Sequence, residues 1–197
     1  MYAIDSISGT SQELLAQLDR QEWYAAACQR MGESRLREWL AVRVLLKKHL
    51  GEEKEIDYTV SGKPYLTDSS YHISISHTKG FVALAWDKNH PVSIDIERIA
   101  KRVENVEDRF LNETEKHQLS PENRLIHLLL HWSAKETLFK YMDENDIDFK
   151  TQLHILPFKP LINQQSTIKA FETRTLAVQT FSIRYWVGED YVLTWIG

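Results

Sequence analysis

Apolar positions return along this chain in two rhythms. Across Glu33–Leu50, residues Leu36, Trp39, Leu40, Leu46 and Leu50 fall on one stripe, the spacing of an amphipathic helix. Gly51 follows as the left-handed stop such a helix favours. Residues 125–142 repeat the rhythm with Leu128, Leu129, Trp132 and Phe139. Ile126, Leu130, Leu138, Tyr141 and Met142 add to them, so this helix is apolar almost all round, the mark of a buried one. A weaker helical stretch is predicted over 11–29, with Leu14, Leu15 and Leu18 on one side. Elsewhere the period is two, and strands are predicted. Residues 71–77 and 81–86 form a hairpin around Thr78-Lys79-Gly80, and 181–187 and Tyr191–Ile196 form another around Gly188-Glu189-Asp190. Residues 92–97 alternate on their own, and 2–7 and 56–60 read as short extended segments. Residues 98–122 are charged and mixed, and one short helix plus loop is expected there. Both halves place a helix before a hairpin that ends in tryptophan, Trp86 and Trp195. The fold class is therefore α+β, with a hint of a duplicated unit.

Composition narrows the setting. At 197 residues the chain is one domain or two small joined ones. No apolar run approaches a membrane span. The start has neither a basic region nor a long apolar core, so no signal peptide is expected. A single cysteine, Cys28, excludes an intramolecular disulfide and a cysteine zinc cluster, and fits a reducing, cytoplasmic setting. With 24 basic against 28 acidic residues the formal net charge is −4, which argues against a nucleic-acid binder held by bulk electrostatics.

Four places carry candidate chemistry. In the strand 92–97, Val92, Ile94 and Ile96 share one face, while Asp95 and Glu97 share the other, roughly 7 Å apart. Two carboxylates so placed hold a hard divalent cation, Mg²⁺ or Mn²⁺, or form the solvated face of an edge strand. On the helix 125–142, Glu136 lies about 20° from Leu125, inside the apolar stripe, and Lys140 lies one turn on. A carboxylate there is either a metal ligand or half of a buried salt bridge. Arg43 lies within the stripe of the helix Glu33–Leu50, with Arg35 on its margin. It either meets an anion or snorkels to water. Last, Ser61-Gly62-Lys63-Pro64 presents Lys63 from a turn, and Ser74, Ser76 and His77 supply donors suited to phosphate. A Ser-His nucleophile pair is the other reading there, without the Gly-x-Ser-x-Gly elbow. Together these suit a reaction at a diphosphate.

These segments resemble the 4′-phosphopantetheinyl transferases. VSIDIE (92–97) and WSAKETLFK (132–140) look like that superfamily's signature. SGKPYL (61–66) and ISISHTKGFVALAW (73–86) resemble its upstream motifs, and RLREWLAVR (35–43) its coenzyme A-binding helix. Order and spacing are similar to those of the larger, monomeric class that serves surfactin-, enterobactin- and polyketide-type carriers. The likeness covers residues 33–142 and hardly reaches the C-terminal third. It implies two similar α/β halves related by a pseudo-twofold: 1–91 on the coenzyme A nucleotide side, 92–197 with the metal and the catalytic helix. It implies transfer of 4′-phosphopantetheine from coenzyme A to a serine of an acyl or peptidyl carrier protein, releasing adenosine 3′,5′-bisphosphate. Asp95, Glu97 and Glu136 would ligate Mg²⁺, and Glu136 or a water it orients would take the serine proton. Lys135 and Lys140 would hold the diphosphate. Arg35, Arg43 and His77 would grip the 3′-phosphate, with Lys63 and Pro64 along the nucleotide and Ser76 adding a hydrogen bond. Two positions depart from the family pattern: Ser93 stands where glycine is usual, and Thr137 stands where alanine or serine is usual, a place the resemblance puts at the pantetheine channel. The alternative reading is a Mg²⁺-dependent hydrolase of a nucleotide diphosphate.

Overall fold

The computed structural model of the chain describes residues 1–144, 146–175 and 177–197. It divides into two units, Met1–Pro91 and Val92–Gly197. Helices and antiparallel sheets make up both, so the fold class is α+β.

The first unit runs β1 (Tyr2–Ser6), α1 (Ser11–Leu15), α2 (Ala25–Arg30), α3 (Glu33–Leu50), β2 (Ile56–Tyr58), β3 (Pro64–Leu66), β4 (His72–Thr78) and β5 (Phe81–Asp87). Strands β1, β5 and β4 form one sheet in that order, and β2 pairs with β3. The helix α3 buries Leu36, Leu40, Leu45 and Leu46 with Val82 and Leu84 of β5 in one core. Gly51 ends it at φ 79°, a conformation glycine adopts without steric cost. The single helix expected over 11–29 is broken. Between α1 and α2 the chain turns through a 3₁₀ segment, Gln21–Tyr24. The carboxylate of Glu53 makes the break: it accepts the backbone N–H groups of Asp19 and Arg20 at 2.6 and 2.9 Å and the Tyr24 hydroxyl at 2.7 Å.

The second unit runs β6 (Ser93–Arg98), a 3₁₀ turn (Lys101–Val106), α4 (Glu107–Phe110), α5 (Glu113–Gln118), α6 (Arg124–Met142), β7 (Leu153–Ile155), β8 (Ser166–Glu172), β9 (Thr180–Val187) and β10 (Tyr191–Ile196). Its sheet has the order β6-β10-β9-β8-β7. Strands β7 and β8 are additions to the predicted set, and residues 98–122 hold three short helical pieces where one was expected. The helix α6 lies on β6 and β10 and buries Leu128, Leu129, Leu130 and Leu138 with Ile168, Ile183 and Val192. Among the described residues no helix is long and apolar enough to cross a membrane.

Candidate active site

Strand alternation sends Ile94 and Ile96 to one face of β6 and Asp95 and Glu97 to the other. The acidic face is not solvated: Asp95 is only 4% exposed, because α6 covers it. The Lys140 ammonium donates to Asp95 Oδ1 at 2.8 Å and to the Ile94 carbonyl at 3.2 Å. The Ser133 hydroxyl donates to Asp95 Oδ2 at 2.7 Å. Two residues further along β6, Glu97 accepts the Trp132 indole N–H at 2.8 Å and the Arg102 guanidinium at 3.1 Å. The spacing of Trp132, Ser133, Glu136 and Lys140 puts all four on one side of α6, and this side is the one turned to the two strand carboxylates.

Glu136 lines a cavity of about 760 Å³, shared with Glu97, Arg102, Arg109, Trp132 and Phe149. Burial first, then the charges of Asp95 and Glu97, push its carboxyl up from 4.5 to about 7, against the pull of Lys140. Burial and then Asp95 also raise Glu97, while Trp132 and Arg102 draw it down. Three mutually repelling carboxyls of all-oxygen donor type fit a hard divalent cation. They do not converge as they stand: among the described residues no group of three or more His, Cys, Asp or Glu is gathered to hold a metal. The acceptor oxygens of Asp95 and Glu97 are directed to Lys140, Ser133, Trp132 and Arg102, which a cation would have to share or displace.

Lys135, expected at the diphosphate, is elsewhere. It is wholly buried, and its ammonium donates to the Phe110 and Phe149 carbonyls at 2.6 and 2.9 Å and to Glu115 at 2.8 Å. Three donors meet three acceptors, so it ties α6 to α4, α5 and the chain before β7 and has nothing to offer a ligand. Thr137 is equally enclosed and bonds Thr194 of β10, at 2.6 Å between hydroxyls. It lines no channel.

In the first unit, a separate cavity of about 800 Å³ is lined by Arg35, Arg43, His77, Glu38, Trp39 and Tyr58, with Gly62 at its edge. Three of the candidate anion ligands thus meet at one hollow. Arg43 does not snorkel. It is 4% exposed, donates to the Trp39 carbonyl at 2.9 Å and stacks on the Trp39 ring at 3.2 Å from its centroid. Burial lowers its pKa and Tyr58 counters this. Glu38 stands 3.6 Å from His77, a negative group that an incoming anion must face. The turn before Lys63 is closed by Thr59 and Gly62, the latter at φ 85°, and Pro64 opens β3 beside Tyr58. Ser76 lies on the other face of β4 from Ile75 and His77 and is buried there, so it is not part of this hollow.

Sequence reasoning missed Ser133, Thr194, Arg102 and Tyr58. Ser133 was within reach, since it lies two turns before Lys140 on the same side of α6. Thr194 was not, because its place opposite Asp95 is a matter of strand register.

A model of the 4′-phosphopantetheinyl transferase superfamily matches residues 91–196. It reaches through the C-terminal third, which the motif likeness hardly touched, and leaves out the motifs at 35–86. No curated protein matches the chain.

Proposed function

The chain belongs to the 4′-phosphopantetheinyl transferase superfamily, and on that premise we propose that it moves the 4′-phosphopantetheine arm of coenzyme A to a serine of an acyl or peptidyl carrier protein, with Mg²⁺ and with release of adenosine 3′,5′-bisphosphate. The observation that carries the reading is Glu136. It is a carboxyl at the wall of a cavity, raised to about 7 by burial and by Asp95, with Lys140 one turn further along α6. A carboxylate at a cavity wall, with an ammonium one turn away, can take the proton of a hydroxyl brought into that cavity.

In this account Glu136 takes the proton of the carrier serine hydroxyl. The serine oxygen bonds to the phosphorus that bears the pantetheine, and the bond from that phosphorus to the bridging oxygen breaks. The Lys140 ammonium meets the charge that grows on the departing oxygen. Asp95, Glu97 and Glu136 would hold Mg²⁺ or Mn²⁺, whose chemistry here is to neutralise diphosphate charge. Arg35, Arg43 and His77 hold the 3′-phosphate, a guanidinium pair being suited to that dianion. Lys63 and Pro64 line the nucleotide. The motif order supports the larger, monomeric class, and the single cysteine fits a reducing, cytoplasmic setting. Product analysis tests the reading. Adenosine 3′,5′-bisphosphate should appear only when carrier, coenzyme A and Mg²⁺ are all present, in step with carrier consumed. Its release at the same rate without carrier would mean hydrolysis, and the transferase reading would fall.

A further inference from the structure

The two positions at which this chain departs from the family pattern, Ser93 and Thr137, touch each other. The Ser93 hydroxyl donates to the Thr137 carbonyl at 2.6 Å. From Thr137 a line of hydroxyls runs inward. Thr137 Oγ1 stands 2.6 Å from Thr194 Oγ1, and Thr194 Oγ1 stands 2.9 Å from Ser133 Oγ. Ser133 Oγ stands 2.7 Å from Asp95 Oδ2. Ser93, Ser133, Thr137 and Thr194 are each fully buried, so these groups satisfy one another and not water.

The direction of the line follows from its end. An ionised carboxylate only accepts, so the Ser133 proton points at Asp95. The Ser133 oxygen is then left to accept. Thr194 directs its one proton toward Ser133, to the hydroxyl or to the carbonyl, which is also 2.9 Å away. The Thr194 oxygen then accepts from Thr137 at 2.6 Å, and the Thr137 hydroxyl also reaches the Thr194 carbonyl at 3.3 Å. With the Thr194 proton on the Ser133 hydroxyl the donors run in one sense and polarise one another; with it on the Ser133 carbonyl, Thr194 holds the backbone that carries Ser133. Asp95 Oδ2 accepts from Ser133 and Oδ1 accepts from Lys140.

The geometry points to Ser133, Thr194 and Thr137 as positioning residues for Asp95. Their hydroxyl line fixes one carboxylate oxygen and presents the other to Lys140 and to the cation, with Ser93 pinning the outer end of the line. This deepens the proposed function and rests on its assignment of Asp95 as a metal ligand. None of the three touches substrate. The competing account is a plain brace between α6 and the strands β6 and β10.

The test compares Ser133→Ala, Thr194→Val and Thr137→Val with the hydroxyl-keeping Ser133→Thr and Thr137→Ser. Mg²⁺ affinity is measured by calorimetry in the presence of coenzyme A, well below each variant's melting temperature. Loss of a hydrogen bond to a charged group predicts about tenfold weaker Mg²⁺ binding in Ser133→Ala. The two valine variants should lose roughly threefold or more, since they remove only the polarising donors, and the conservative variants should stay near the parent. Melting temperatures that fall while Mg²⁺ affinity stays within about twofold would reduce the line to a brace and overturn the proposal. Should Ser133→Ala not fold, Thr137→Val against Thr137→Ser decides in the same way. If the parent itself takes up no Mg²⁺, the metal assignment fails on its own, and turnover then decides the positioning role. A fall in kcat of about tenfold at unchanged KM for coenzyme A keeps it, and an unchanged kcat ends it.

Discussion

Lys135 and Glu136 are neighbours in sequence and strangers in space. A helix turns about 100° per residue, so of two adjacent side chains on α6 one goes to the core and the other to the cavity. The motif likeness placed both at the diphosphate, and only the packing of α4, α5 and the chain before β7 separates them. For Lys135→Met we expect a loss of about 3–5 kcal/mol in urea unfolding, because Glu115 is left as a buried carboxylate without its cation. Coenzyme A affinity, measured where the variant is still folded, should not change. Weakened coenzyme A binding at unchanged stability would return Lys135 to the ligand. Glu136 carries the opposite expectation. Its carboxyl rises from 4.5 to about 7 on folding, so the folded chain holds that proton more tightly than the unfolded chain. The stabilisation is full below 4.5 and is lost as pH rises through about 7. Glu136→Gln cannot ionise, so the metal-free variant should be more stable than the parent at pH 8, by up to about 3 kcal/mol of unfolding free energy, and melt higher there, but melt near the parent at pH 4. A lower melting point at pH 8 would make Glu136 the partner in a structural salt bridge, the reading its sequence position left open.

At the scale of elements, α6 shows what pattern can and cannot say. Its length, its all-round apolarity and the placing of Glu136 and Lys140 were legible from period alone. On the face away from Glu136, the same helix carries His127 and His131, both buried, with ring centroids 4.8 Å apart. Burial lowers His127 to about 4 and His131 to about 3. Because folding depresses these bases, their contribution is whole above 6.5 and is lost as pH falls toward 4 and 3. Glu136 works the other way over part of that range, so the variant must be compared with the parent at each pH. We expect His131→Leu to move the acid-unfolding midpoint to lower pH, as followed by circular dichroism. An unchanged midpoint would show that another group sets the acid limit. The break between α1 and α2 was not legible for the opposite reason. Local pattern favours one helix, and a carboxylate 30 or more residues away, Glu53, recruits the backbone of Asp19 and Arg20. Strand β8 was hidden by its own inward face, where Ala170 and Glu172 sit beside Ile168. Glu172 is satisfied there by Arg174, Thr175 and Gln179, a local arrangement that alternation does not foresee.

For the whole molecule, the α+β class and both tryptophan-ended hairpins were legible, because turn chemistry and alternation agree at those places. Each unit sets a long helix on an antiparallel sheet. The polar groups follow the same division. The second unit sets Asp95 and Glu97 of β6 against the side of α6 that carries Glu136 and Lys140, and the first gathers Arg35, Arg43 and His77 around one hollow. Which of these side chains ended on which face depended on register and burial: Ser76 lies off the hollow of the first unit, and Lys135 is enclosed by Phe110, Glu115 and Phe149. The proposed chemistry is the modification of a protein serine. The most direct measurement is the intact mass of an apo carrier protein after incubation with the chain, coenzyme A and Mg²⁺, beside the same incubation with Glu136→Gln. The account predicts that the carrier gains one phosphopantetheine arm on its serine with the parent and stays at its apo mass with the variant. A carrier left unmodified by the folded parent, or modified equally well by Glu136→Gln, would contradict it.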